Sequence, residues 1–138
     1  ASEFIVLSEV GSKTTAGNDA LTPRDWARQV RTDLAHGARY VITESRESGT
    51  TGLATAAGEV RDDVVDAIMA AGVDPAWLLF EAPTKALQTY LIRRFGSDVN
   101  LGNIAPADVV GLETLRLGLR SDTLYDLQPQ NSRDAVAV

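Results

Sequence analysis

Glu9, Glu44 and Glu81 each close a short apolar run, and each precedes a polar loop that leads toward a helix. The runs are Phe4-Ile5-Val6-Leu7-Ser8-Glu9, Tyr40-Val41-Ile42-Thr43-Glu44 and Trp77-Leu78-Leu79-Phe80-Glu81. A fourth run, Asp98-Val99-Asn100-Leu101, carries an amide and leads into Gly102-Asn103. In parallel α/β folds the carboxyl ends of the strands open on one face, where ligands bind. Acids delivered there in succession predict a shared polar site that holds a metal ion. The competing arrangement is a ring of ion pairs between these glutamates and Lys13, Arg46 and Lys85. Arg46 has the planar fork that suits oxyanions; alternatively it pairs with Glu44 or Glu47, and Glu47 then serves to position it. Gly102-Asn103-Ile104-Ala105-Pro106 puts a glycine and several N–H groups ahead of a helix start, which makes either a phosphate cradle or an ordinary tight turn.

These side chains need a frame, and the chain supplies one in regular order. After the first run comes a loop rich in Gly, Ser, Thr and Asn, and then Thr22-Pro23-Arg24-Asp25. Thr22 is placed to cap a helix, with Pro23 in its first turn and Asp25 closing a capping box. Trp26, Val30 and Leu34 fall on one face, and Gly37 ends the helix before the run at 40–44. A second helix carries Val64, Val65, Ile68 and Met69 inward and stops at Gly72. A third begins near Thr84, carries Leu87, Leu91 and Phe95, and stops at Gly96. A fourth begins at Pro106 and runs through Val109, Leu112, Leu115 and Leu119. This makes four β-loop-α units over residues 1–125, with a polar tail at 126–138. Near-continuous apolar strands are expected where both faces of a parallel sheet are buried. A small doubly wound sheet and half of an eight-fold β/α barrel both fit, since a whole barrel takes about 250 residues.

Composition narrows the function. With 138 residues, 44% of them hydrophobic, the chain can bury one modest core. A formal charge of −6 and the lack of any Lys/Arg stripe argue against nucleic acid as a partner. There is no cysteine, hence no disulfide or thiolate metal site. No apolar stretch approaches the roughly 20 residues that span a bilayer, so the expected location is the cytoplasm with no membrane partner. His36, the single histidine, falls at a helix end where it suits the dipole, and no serine nucleophile has a base beside it.

Five ordered segments carry a more specific signal: Glu9-Val10-Gly11-Ser12-Lys13, Glu44-Ser45-Arg46-Glu47-Ser48-Gly49, Phe80-Glu81-Ala82-Pro83-Thr84-Lys85, Val99-Asn100-Leu101-Gly102-Asn103-Ile104, and the stretch from Leu112 to Thr123 that contains Gly118-Leu119-Arg120-Ser121-Asp122-Thr123. Together they resemble the phosphosulfolactate synthase family over residues 3 to 125, and they match its C-terminal half. Ser45 and Ser121 stand where that family usually has glycine.

The resemblance implies four consecutive β/α units equivalent to the C-terminal half of a (β/α)8 TIM barrel. It implies a C–S bond-forming lyase that adds sulfite to phosphoenolpyruvate with Mg²⁺, in routes such as coenzyme M synthesis. On this reading Lys13 is the proton donor, and Arg46 is catalytic. Glu9, Glu44 and Glu81 are the metal candidates, while Glu47, Gly102, Asn103 and Arg120 bind substrate. The alternative is an inactive half-barrel that binds a phosphorylated acid or serves as a structural subunit. A half-barrel leaves open sheet edges, so a homo-oligomer or a complementing N-terminal half is the expected partner.

Overall fold

A computed structural model describes residues 4–12, 21–45, 52–55 and 59–127 of the chain. Four strands alternate with helices: β1 (Leu7–Val10), α1 (Pro23–Ala35), β2 (Tyr40–Thr43), α2 (Asp62–Ala70), β3 (Leu78–Glu81), α3 (Lys85–Phe95), β4 (Leu101–Gly102), α4 (Val109–Arg116) and the short α5 (Leu124–Leu127), which straddles residue 125. The strands are parallel and lie side by side in the order in which they occur in the chain.

That order decides between the two architectures. A doubly wound sheet reverses its strand order at a switch point and carries helices on both faces. Here there is no reversal, and right-handed crossovers then put every helix on the same side. Burial agrees with this. Val10, Val41, Thr43, Leu78 and Phe80 on the helix side are inaccessible. On the opposite side Leu7 is 46% exposed and Ile42 and Leu79 are only half-buried. The molecule is therefore four β/α units with one sheet face covered, the arrangement of half an eight-fold barrel. The apolar character of the strands on both faces fits a sheet whose second face belongs inside a closed barrel.

Local signals formed the helices as expected. The Thr22 hydroxyl accepts from the Asp25 amide at 3.2 Å, and the Asp25 carboxylate accepts from the Thr22 amide at 3.2 Å and its hydroxyl at 2.6 Å. Those Thr22 bonds hold the Asp25 carboxyl below the usual carboxylate range. Thr84 caps α3 by accepting from the Leu87 amide, and Gly37, Gly72 and Gly96 take positive φ where their helices stop. Trp26, Val30, Val64, Val65, Ile68, Leu87, Leu91, Leu112 and Leu115 fill the space between helices and sheet, with Phe95 stacked on Phe80 at 5.2 Å.

Strand boundaries differ from the sequence expectation, each for a visible reason. The first strand starts at Leu7 rather than Phe4, because β1 is an edge: the Arg39 amide bonds to Val6 O, and Phe4 and Ile5 are 79% and 75% exposed. Trp77 lies in a 3₁₀ turn, Pro75–Trp77, begun by Asp74, whose carboxylate accepts from the Ala76 amide. The fourth strand is Leu101–Gly102 rather than 98–101, because residues 97 and 98 form a turn closed by the Val99 amide on Gly96 O at 3.3 Å, and the ladder to β3 is first met at Asn100 O. Pro106 opens a 3₁₀ turn rather than the helix itself. Gly118 (φ 64) then turns the chain, which leaves Leu119 past the helix and 70% exposed. Residues 128–138 of the expected tail lie outside the described residues. Among the described residues no helix is long and apolar enough to cross a membrane.

Candidate functional site

The strand register arranges the polar groups at the carboxyl edge of the sheet. Thr43 pairs with Val10 and with Phe80, and Glu81 with Gly102. One further step in the same register aligns Gly11, Glu44, Glu81 and Gly102 in a single row across the sheet. Hydrogen bonds from the Glu44 amide to Val10 O and from the Ala82 amide to Gly102 O, both 2.9 Å, continue the ladder to this level. Alternation places Glu44, Glu81 and Gly102 on the face that no described helix covers, while Gly11, at φ 123, turns its Cβ position toward Trp26 of α1. Glu9 pairs with Ile42 instead, two residues lower on the same face, and is exposed. The sequence pattern implied three level glutamates; β1 carries its pairing on through Val10, so only Glu44 and Glu81 are level.

Glycine flanks the two acids for steric reasons. A side chain at Gly11 would meet Glu44 Cβ and the Trp26 ring, each at 2.7 Å, and one at Gly102 would run into Leu79 Cδ2. Glu44 is only 4% exposed. Over it folds the chain at Gly52 and Leu53, with the Leu53 amide donating to Glu44 O at 3.2 Å. Glu81 is half-buried, and its Oε2 accepts from the backbone N–H of Ser45 at 2.9 Å. Asn103 Nδ2 donates to Ser45 O at 3.0 Å and lies 3.5 Å from the same Glu81 oxygen. Gln88, 3% exposed, ties the start of α3 to this edge through Ala82 O at 3.0 Å.

The other candidates are distributed as follows. Lys13, Arg46 and Glu47 lie outside the described residues. Gly102 is the last residue of β4, and the amides of Asn103, Ile104 and Ala105 beyond it have no acceptor among the described residues. Arg120 donates from Nε to Thr114 Oγ1 at 2.8 Å. It lines a cavity of about 150 Å³ between α3 and α4 together with Lys85, Gln88 and Asp108, so it sits at the rim rather than over the row. Lys85 pairs with Asp122 at 2.7 Å, and that ammonium holds the Asp122 carboxyl below its ordinary value. The described partner of Lys85 is thus not one of the strand-end glutamates. Asn100 faces away from the site, bonded to the carbonyls of Ala76 and Leu78 at the start of β3.

Among the described residues no three carboxylate or histidine groups converge as a ready cation site. That arrangement still suits Mg²⁺, which keeps most of its water and takes one or two carboxylates. Glu81 spends one oxygen on protein donors and has Oε1 without a partner among the described residues. Glu44 adjoins it on the same face. Hydrogen bonds that orient a carboxylate in this way are a recurring feature of metal sites. The ties made by the backbone of Ser45 and the side chain of Asn103 were not legible from the sequence pattern, because they join strand ends 36 and 58 residues apart; Gln88 acts locally, on a carbonyl six residues before it.

The family model for (2R)-phospho-3-sulfolactate synthase (ComA) matches residues 1–122. The chain is 48% identical over 123 residues to the phosphosulfolactate synthase of Bacillus subtilis, covering 89% of this chain and 49% of that protein. Against the phosphosulfolactate synthase of Methanocaldococcus jannaschii it is 47% identical over 121 residues, 87% of this chain and 48% of that one. A third, from Methanothermobacter thermautotrophicus, is 44% identical over 122 residues, 88% and 47% of the two chains. The chain spans about half the length of the curated relatives it matches.

Proposed function

The chain belongs to the phosphosulfolactate synthase family, and on that premise we propose that it carries the catalytic face of an enzyme that adds sulfite to phosphoenolpyruvate. The observation that supports this most is the level pair Glu44 and Glu81, flanked by Gly11 and Gly102 at the carboxyl edge of a one-sided parallel sheet.

The chemistry is an addition across a double bond. The sulfite lone pair forms a C–S bond at the methylene carbon, the π electrons move toward the carbon bearing the phosphate and its carboxylate, and a proton then bonds to that carbon. Nothing leaves, and no oxidant is needed. Both reactants are anions, so the site must offset their repulsion. Arg46 supplies a guanidinium to fork onto sulfite or substrate oxygens, with Glu47 positioning it. Glu44 and Glu81, with Glu9 below them, would hold Mg²⁺, which supplies positive charge opposite the substrate carboxylate as it develops. The amides of Asn103, Ile104 and Ala105, which have no acceptor among the described residues, would take the phosphate, and Arg120 would meet it at the rim. Lys13 delivers the proton. This role is carried over from the family motif Glu9-Val10-Gly11-Ser12-Lys13.

Replacing Glu81 by glutamine keeps the shape and removes the charge. In assembled enzyme it is expected to raise the Mg²⁺ concentration for half-maximal activity by at least about tenfold. An unchanged Mg²⁺ dependence rules Glu81 out as a ligand.

The uncovered sheet face and the β1 edge, where Phe4, Ile5, Val6 and Leu7 are 46–79% exposed, are fitted to further β/α units. They come from a complementing N-terminal half or from a second copy of this chain, in a cytoplasmic assembly. Sedimentation is expected to show self-association or capture of the complementary half, and a compact, cooperatively folding monomer at low concentration contradicts this. A second reading follows from the same half-length span: the half-barrel retains an anion site without turnover, recognised by tight binding of phosphoenolpyruvate that sulfite and Mg²⁺ do not consume.

A further inference from the structure

Both backbone polar groups of one buried residue are claimed by the neighbouring strand ends. Ser45, with no accessible surface, gives its N–H to Glu81 Oε2 at 2.9 Å and receives Asn103 Nδ2 on its carbonyl at 3.0 Å. The ends of β2, β3 and β4 are thereby joined through a single residue's backbone. Gly52 backs this residue: it has φ +80, and a side chain there would strike Glu44 O and come within 2.8 Å of Ser45 Cα.

Asn103 itself has φ 54, the one described non-glycine residue with positive φ. Asparagine and glycine tolerate this conformation far better than most residues. Glycine there would carry no amide, and aspartate would carry no N–H and would repel Glu81. Of asparagine, aspartate and glycine, asparagine alone has a side-chain N–H to give the Ser45 carbonyl.

We infer that Asn103 is a positioning residue for Glu81. By holding the carbonyl on one side of Ser45 Cα it restrains the φ and ψ of that residue, and so the N–H on the other side that meets Glu81 Oε2, which sets the carboxylate's orientation and turns Oε1 toward the ligand. Its side chain is therefore committed to protein, and only its backbone amide is left for a phosphate. This rests on the proposed role of Glu81 toward Mg²⁺.

The test uses the full chain in its assembled form and compares Asn103→Gly, Asn103→Asp and Glu81→Gln. Asn103→Gly keeps the backbone conformation and loses the amide. It is expected to speed hydrogen exchange of the Ser45 amide by about tenfold or more while leaving the Val30 amide in α1 unchanged. It is also expected to raise the half-saturating Mg²⁺ concentration, read by direct Mg²⁺ titration, by about 10–100-fold, with kcat at saturating Mg²⁺ changed far less. Asn103→Asp is expected to be at least as impaired in both readouts, although its side chain has the same shape. If the Ser45 amide exchanges no faster in Asn103→Gly, the proposal is overturned. It is also overturned, alone, if Mg²⁺ binding responds to Glu81→Gln and not to Asn103→Gly. If Mg²⁺ binding responds to neither, the role of Glu81 toward the metal fails with it.

Discussion

Lys13→Ala is expected to lower turnover of the assembled enzyme by about 10²–10⁴-fold, the usual contribution of a positioned general acid, while the KM for phosphoenolpyruvate changes much less. The asymmetry follows from the chemistry. Until sulfite has bonded there is no electron-rich carbon to protonate, so the lysine matters after binding, as the charge moves into the substrate. Lys13 lies outside the described residues, so its part in the reaction rests on the family motif that begins at Glu9. Lys13→Arg is not expected to restore turnover, because a guanidinium keeps its charge but does not give up a proton near neutral pH. An alanine variant with turnover within threefold of the parent removes Lys13 from the reaction.

Gly52→Ala is expected to cost about 2–5 kcal/mol of folding stability. About 1–2 kcal/mol comes from forcing a side chain into the left-handed region, and about 1–3 kcal/mol from overpacking. Gly52 has φ +80, and its added Cβ would overlap Glu44 O, a backbone atom that cannot swing aside. The displacement would fall on Glu44 and Ser45, so Mg²⁺ affinity should drop with stability. Gly72→Ala supplies the comparison. Gly72 has a similar φ of +78 with nothing within 4 Å of an added Cβ, so it is expected to cost only about 1–2 kcal/mol for the backbone term. Equal losses for the two variants, measured by denaturant titration, contradict the clash.

Much of this architecture is legible in the sequence because its signals are local. The Thr22–Asp25 capping box, the Thr84 cap and the helix stops at Gly37, Gly72 and Gly96 each depend on a few neighbouring residues and were found where expected. The level of each strand-end acid was not legible, because register depends on pairing between segments tens of residues apart. Glu9 pairs with Ile42, which sets it two residues below the level of Glu44 and Glu81. Arg116 illustrates the same limit. It lies on α4, yet it binds the carbonyls of Ser97 and Val99 and so ties that helix to the segment ahead of β4. Asn103 was legible as a site residue from its place after Gly102, but its tie to Ser45 and Glu81 joins positions 58 and 22 residues away. Lys13, Arg46 and Glu47 lie outside the described residues, so their roles rest on family resemblance and position in the chain.

The most direct measurement is the consumption of phosphoenolpyruvate by this chain assembled with the N-terminal half of a family member, with sulfite present and Mg²⁺ varied. Loss of phosphoenolpyruvate that requires sulfite, Mg²⁺ and both halves together is the expected result. An assembled, folded sample that binds phosphoenolpyruvate but never consumes it contradicts the catalytic reading and leaves the half-barrel as a binding module.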